Sequence, residues 1–185
     1  MRTDSKLEEL VEVLRLMTSR KDAVADPREL LLDVTERVVK HVSGVFGTRA
    51  DEVAVLLLTE DRKHLRFAAP RRFADLGTIP ITKRDSIAVA IFHRKTGEAI
   101  NNVPMVRHVS FFESVKLRDK VLPIQKMITV PILLGSDVVG VAQISRKGES
   151  PAEAGADFSA ADVKRADEIF RAVAAALTDA RPERF

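Results

Sequence analysis

The strongest constraint on this chain is the stretch KMITVPILLGSDVVGVAQISRK at residues 126–147. Two apolar runs of strand length, 127–134 and 138–144, flank Gly135-Ser136-Asp137, a polar break of turn-forming residues between β-branched segments. This pattern predicts a β-hairpin. Neither run alternates cleanly. Val130-Pro131-Ile132-Leu133-Leu134 and Val138-Val139-Gly140-Val141 put apolar or small groups on both faces, so the sheet is expected to be covered on both sides. Gly140 and Ala142 are small enough that a ligand or lid is expected to approach closely there.

Helical patterns lie at both ends. Leu7, Leu10, Leu14 and Met17, with Val11 beside them, form a seam that predicts a helix packed on the domain or across a dimer. Asp26-Pro27-Arg28-Glu29 supplies a cap, a proline at the first helical position and a capping-box acid. The stripe Leu30, Leu31, Val34, Val38 and Val42 follows, and Gly44 and Gly47 are expected to end that helix. His41 lies beside the stripe and reads as a structural histidine. The last helix opens at Phe158-Ser159, with Asp162 three residues after the cap, and places Val163, Ala166, Phe170, Val173 and Leu177 on one face.

Between these ends, runs at 53–59 and 65–69 predict a second hairpin around Glu60-Asp61-Arg62-Lys63, and 78–82 a short edge strand limited by Pro80. Asp85 or Ser86 caps a helix at 87–95 that Thr96-Gly97 is expected to stop, and 99–103 reads as another strand. Residues 104–125 are long and mixed, with the character of a functional lid, and 148–157 is a loose linker. The order of elements predicts an α+β fold, a sheet with helices on both faces. The boundaries read as an N-terminal helical extension at 1–25, a domain at 26–180 and a tail at 181–185.

The 185 residues contain no cysteine, which excludes disulfides, thiolate metal sites and cysteine nucleophiles. The four histidines have no ligand spacing, and no phosphate-binding glycine loop, nucleophile elbow or His-Glu-x-x-His helix is present, so no catalytic or metal residue is assigned. Net charge is only +3, with basic pairs scattered, which argues against nucleic acid as a partner. No run approaches the length of a membrane span and no signal peptide is evident, so the expectation is a cytoplasmic, non-enzymatic protein.

Three pieces in order carry a family resemblance: Ser86-Ile87-Ala88 through Thr96-Gly97-Glu98-Ala99-Ile100-Asn101-Asn102-Val103, the central hairpin, and Phe158-Ser159-Ala160-Ala161-Asp162. Together they resemble a GAF domain over most of residues 28–177. Lys147, Phe158 and Asp162 match a structural signature of the cyclic-nucleotide branch, while Arg146 and Val163 depart from it. Lys147 is expected to pair with Asp162 in the first turn of the last helix.

The resemblance implies a PAS-related antiparallel sheet of five or six strands, with the N- and C-terminal helices packed together on one face. It implies a regulatory module that binds a small molecule between the sheet and the helix and loop on one side. Phe92, Phe111 and Phe112 would stack on a flat ligand, while Arg94, Asn101, Asn102, His108 and Lys126 would supply polar contacts. It also implies a homodimer through the terminal helices and a separate signalling partner; no cofactor is specified. The alternative is a ligand-free GAF-like module for dimerisation or protein interaction. The catalytic branch of the family, which reduces free methionine sulfoxide, uses cysteine chemistry that this chain lacks.

Overall fold

A computed structural model of the chain describes residues 4–74, 77–106, 122–183 and 185. Six antiparallel strands form one sheet: β1 Val53–Leu58, β2 His64–Ala69, β3 Thr78–Pro80, β4 Glu98–Ile100, β5 Ile124–Leu134 and β6 Asp137–Lys147. Their spatial order is β3-β2-β1-β6-β5-β4. Helices α1 Ser5–Thr18, α2 Pro27–Phe46 and α4 Ala160–Asp179 share one core cluster with one face of the sheet, and α3 Ile87–Arg94 packs on the other. This is the expected α+β architecture with helices on both faces.

The hairpin of β5 and β6 is longer than its apolar runs suggest, and its turn is Gly135-Ser136. Gly135 holds φ at +62°, which glycine adopts without a Cβ clash. Pro131 is tolerated in β5 because β4 pairs only with Met127, Ile128 and Thr129, leaving the outer edge beyond them unpaired among the described residues. Two-sided burial is clearest in β1. Val53, Val55 and Leu57 join the core under the helices, while Ala54, Leu56 and Leu58 join the core under α3. A strand covered on both sides has no solvent face, so its sequence does not alternate.

Gly140 serves this sheet rather than a ligand. A Cβ there would fall on the Leu56 carbonyl oxygen and within 3.1 Å of the Leu57 side chain, so its smallness lets β1 lie against β6. Ala142 lies in the core beneath the terminal helices. The expected close approach of a ligand at these two positions is therefore corrected: β1 and the helical layer occupy that space.

The helix ends follow their sequence signals with two corrections. Asp26 accepts the Arg28 N–H at 2.8 Å, as expected of a cap, but α2 runs through Gly44 to Phe46 and stops at Gly47, whose φ is +61°. For α3, the left-handed cap is Lys95, with φ +56°. Gly97 is small for a different reason. A Cβ there would lie 2.7 Å from a Val130 methyl and 3.2 Å from the Thr129 carbonyl oxygen, so only glycine lets the chain enter β4 beside β5.

The seam of α1 closes within the chain. Leu14 is fully buried, and Leu7, Leu10, Val11 and Met17 pack on the same cluster as Phe170, Val173 and Leu177 of α4. Full burial of Leu14 stabilises the fold by about 1.5 to 3 kcal/mol, and the four partly buried side chains add less each, which together holds α1 against α2 and α4 despite its short length. The residues offered for a dimer seam are thus consumed by intrachain packing. Beyond α4, Arg181 donates to the Leu58 carbonyl, and Phe185 packs at the edge of the helical core under Arg66.

Candidate functional site

On the sheet face away from the terminal helices, the hairpin carries buried polar side chains, of which Ser145 is satisfied by the Glu52 carbonyl. Thr129 and Gln143 stand opposite each other in the β5–β6 register, and both are almost fully buried. The Gln143 side-chain amide donates to Thr129 Oγ1 at 3.3 Å and lies 3.2 Å from the Met127 sulfur. Among the described residues, its buried Oε1 has no hydrogen-bond partner. The Thr129 hydroxyl can donate or accept, so whichever way the amide is turned, one end remains unsatisfied. Leaving such a group unpaired costs about 1 to 3 kcal/mol, so this position carries an unmet demand for a polar partner.

Apolar groups flank the pair on the same face. Val141, next along β6, belongs to the cluster under α3 with Ala88, Val89 and Ile91, and Phe92 packs against it. Met127, next along β5, belongs to a small cluster with Val103, Ile124 and Ile100. Thr129 and Gln143 therefore stand at a polar break between two apolar patches. A few polar groups within apolar walls are what orient a small molecule in a pocket. Neither residue was singled out in the sequence. The available signal was an amide inside an otherwise apolar strand, which the two-sided hydrophobic pattern obscured.

The residues expected from sequence to contact a ligand are placed differently. Phe92 is half-buried against the α3 core, its ring edge-on to His93 with centroids 5.3 Å apart. Arg94 is exposed and paired with Glu98 at 2.7 Å. Asn102 is exposed at the start of a short 3-10 turn, Val103–Met105. His108, Phe111 and Phe112 lie outside the described residues.

Asn101 and Lys126 instead help build a clasp between the sheet and the start of α4. The Asn101 amide accepts the Phe158 N–H at 2.8 Å and donates to the Phe158 carbonyl at 3.0 Å. Buried Lys126 spans to Asp157 Oδ1 at 2.7 Å and to the Gly155 carbonyl. Arg146 stacks 4.3 Å from the centre of the buried Phe158 ring and donates to the carbonyls of Ala156 and Phe46. The polar groups of Asn101 and Lys126 are thus committed inside the chain.

The expected ion pair between Lys147 and Asp162 is corrected. Lys147 Nζ reaches back to the start of β1, donating to the Asp51 carbonyl at 2.9 Å and to its carboxylate at 3.2 Å. Its backbone N–H donates to Glu52 Oε1 at 2.9 Å. Asp162 closes a capping box with Ser159, accepting its N–H at 2.7 Å and its hydroxyl at 2.8 Å. β6 delivers Lys147 to the β1 side, where Asp51 is the nearby carboxylate, while the capping box saturates Asp162. Burial by itself would raise the Asp51 carboxyl, but Lys147, Arg49 and Arg72 outweigh it and hold the group below its ordinary value. The Ser159 hydrogen bonds, backbone first, lower Asp162, with Arg146 assisting against slight burial.

Among the described residues, no group of three or more His, Asp or Glu side chains is arranged to hold a metal ion, and no helix is long and apolar enough to cross a membrane. The molecule is an α+β sheet domain with a bundle of terminal helices on one face and a buried, incompletely satisfied polar pair on the other. No protein-family model matches the chain, and no curated protein matches it by sequence. Solved structures do match. The GAF domain of an Acinetobacter phosphoenolpyruvate-protein phosphotransferase superposes with a TM-score of 0.62 at 14% identity, covering 96% of this chain and 95% of that one. The GAF domain of A. aeolicus nlh2 in an inactive state gives 0.55 at 16% identity, over 93% and 98%. A type II free methionine-R-sulfoxide reductase from Thermoplasma acidophilum gives 0.56 at 14% identity, over 83% and 96%. The chain has the GAF fold, and that fold includes at least one enzyme among its neighbours.

Proposed function

We propose that this chain is a non-enzymatic regulatory GAF domain that binds a small molecule on the face of Gln143, between the sheet, α3 and the segment at 102–125. The observation that carries this reading is the buried end of the Gln143 amide, which has no partner among the described residues and is set between two apolar patches. A ligand with an apolar, flat body and one hydrogen-bonding group would satisfy it. Phe92, Phe111 and Phe112 remain candidates for stacking on that body, and Asn102 and His108 for contacts at its rim. Absence of cysteine separates this chain from the thiol chemistry the family resemblance implies for its catalytic branch.

The same reading supplies a route to the output. β4 borders β5 beside Thr129, and the residue after β4, Asn101, clasps the backbone at the start of α4. A ligand that shifts β4 would therefore pull on the terminal helices, which would present the change to a cytoplasmic signalling partner. A homodimer through these helices would use their outer faces, since the seam residues already pack against the core of their own chain.

The test begins with mass spectrometry of the purified protein after denaturation, to find a co-purified metabolite, and thermal shifts with a panel of nucleotides and tetrapyrroles. The expected result is one ligand whose stabilisation is lost in Gln143→Met, a variant that keeps the side-chain length and removes the amide. An empty protein that no compound stabilises would overturn the proposal. So would a ligand that Gln143→Met binds equally well.

A further inference from the structure

A cavity of about 710 Å³ opens between α1, α2 and Arg165 of α4, and no strand residue lines it. Its charge is unbalanced. Lys6, Arg37, Lys40 and Arg165 face only two carboxylates, Asp4 and Glu9. Asp4 is already engaged, by Arg165 at 2.8 Å and by the Lys6 backbone N–H at 3.2 Å. Among the described residues, the side chains of Lys6, Arg37 and Lys40 have no hydrogen-bond or ion-pair partner, and Glu9 is the one lining carboxylate left to oppose them.

Two further features are hard to explain by packing alone. His41 lines the cavity, and its buried Nε2 has no hydrogen-bond partner among the described residues. Burial is the main influence lowering its pKa; Asp4 opposes this, while Arg165 and Lys6 reinforce it. Gly44 lies in the last turns of α2, where alanine is the better helix former. A Cβ at Gly44 would meet nothing within 4 Å, so no neighbouring atom requires glycine there. Its effect is to leave the cavity wall open.

We propose that this cavity binds a soluble phosphomonoester, a small molecule with a dianionic phosphate and a compact apolar body. Three separate cations on two helices line the cavity, a set that can serve a tetrahedral group with three free oxygens more fully than a planar carboxylate with two. Leu10, Val13 and Val45 supply the apolar wall for the remainder of the ligand. The site is separate from the Gln143 face and does not depend on the reading proposed for it.

Calorimetric titration of the full chain at constant ionic strength, with phenyl phosphate as the probe and inorganic phosphate, benzoate and phenol as comparisons, tests this. Phenyl phosphate is expected to bind saturably with a Kd of about 1 mM or tighter, ahead of phosphate and benzoate, with phenol inert. Arg37→Gln and Lys40→Gln, both at exposed positions, are each expected to weaken it about tenfold, the lower end for losing a hydrogen bond to a charged group. Gly44→Leu is expected to abolish binding while leaving the thermal midpoint unchanged or higher. The proposal is overturned if no saturable binding is seen up to about 20 mM, well above the expected Kd. It is equally overturned if benzoate binds as tightly as phenyl phosphate, or if Arg37→Gln and Gly44→Leu both bind like the parent.

Discussion

Asn101 distinguishes most sharply between a ligand contact and a structural clasp. Its amide spends one acceptor and one donor on the Phe158 backbone, at 2.8 and 3.0 Å, and Phe158 is itself only 3% exposed. Asn101→Ala removes both bonds and strands a backbone N–H and a carbonyl. At about 1 kcal/mol per neutral bond, with a further share for groups left unpaired, the loss is about 2 to 3 kcal/mol. For a domain of this size that corresponds to a fall of roughly 4 to 12 °C in the thermal midpoint. Chemical denaturation with an unchanged slope measures it directly. Asn101→Asp preserves the acceptor for the Phe158 N–H but sets a carboxylate oxygen against the Phe158 carbonyl, so it loses stability at neutral pH and recovers part of it when acid protonates the new group. Asn102→Ala, at the exposed neighbour, is expected to stay within about 0.5 kcal/mol of the parent. If Asn101→Ala is equally silent, the clasp does not hold the start of α4 and the route proposed from β4 to the helices fails with it.

Two further outcomes follow from the same junction. In double-mutant cycles, Lys147→Met should couple to Asp51→Asn by up to about 1 kcal/mol, the range for a partly exposed ion pair, and to Asp162→Asn by close to zero; coupling to Asp162 alone would reverse the pairing. Acid should destabilise the fold through Asp51 and Asp162, whose carboxyls both sit below their ordinary value of 3.8. A carboxyl depressed on folding gives stabilisation that is present above the unfolded pKa and lost as pH falls through the folded one, so the loss falls below about pH 4. Thermal unfolding followed from pH 6 to pH 2 should show it, and Asp51→Asn should flatten that part of the curve; an unchanged profile would show that Asp51 is not held by its cations.

Much of the fold was legible because its signals are local. The cap at Asp26-Pro27, the turn at Gly135-Ser136 and the capping box of Ser159 and Asp162 act within a few residues, and each appears in the structure as its sequence implies. Two-sided burial of the hairpin was legible too, since hydrophobic period reports how many faces a strand buries. Side-chain destination was not. Lys147 and Asp162 share a sequence motif, yet the pairing of β6 with β1 delivers the lysine to Asp51, ninety-six residues earlier in the chain. Gly97 and Gly140 looked like a stop and an opening, and are spacers for Val130 and Leu56 in neighbouring strands.

By itself, then, the sequence determined the elements, their order and the α+β arrangement, because backbone propensity and hydrophobic period are properties of adjacent residues. Only the tertiary structure decided that the α1 seam closes on α4 of its own chain, that Asn101 and Lys126 fasten the last helix, and that one end of the buried Gln143 amide is unsatisfied among the described residues. Those outcomes depend on which distant groups a side chain meets after the sheet has formed. Spacing along the chain does not encode that distance.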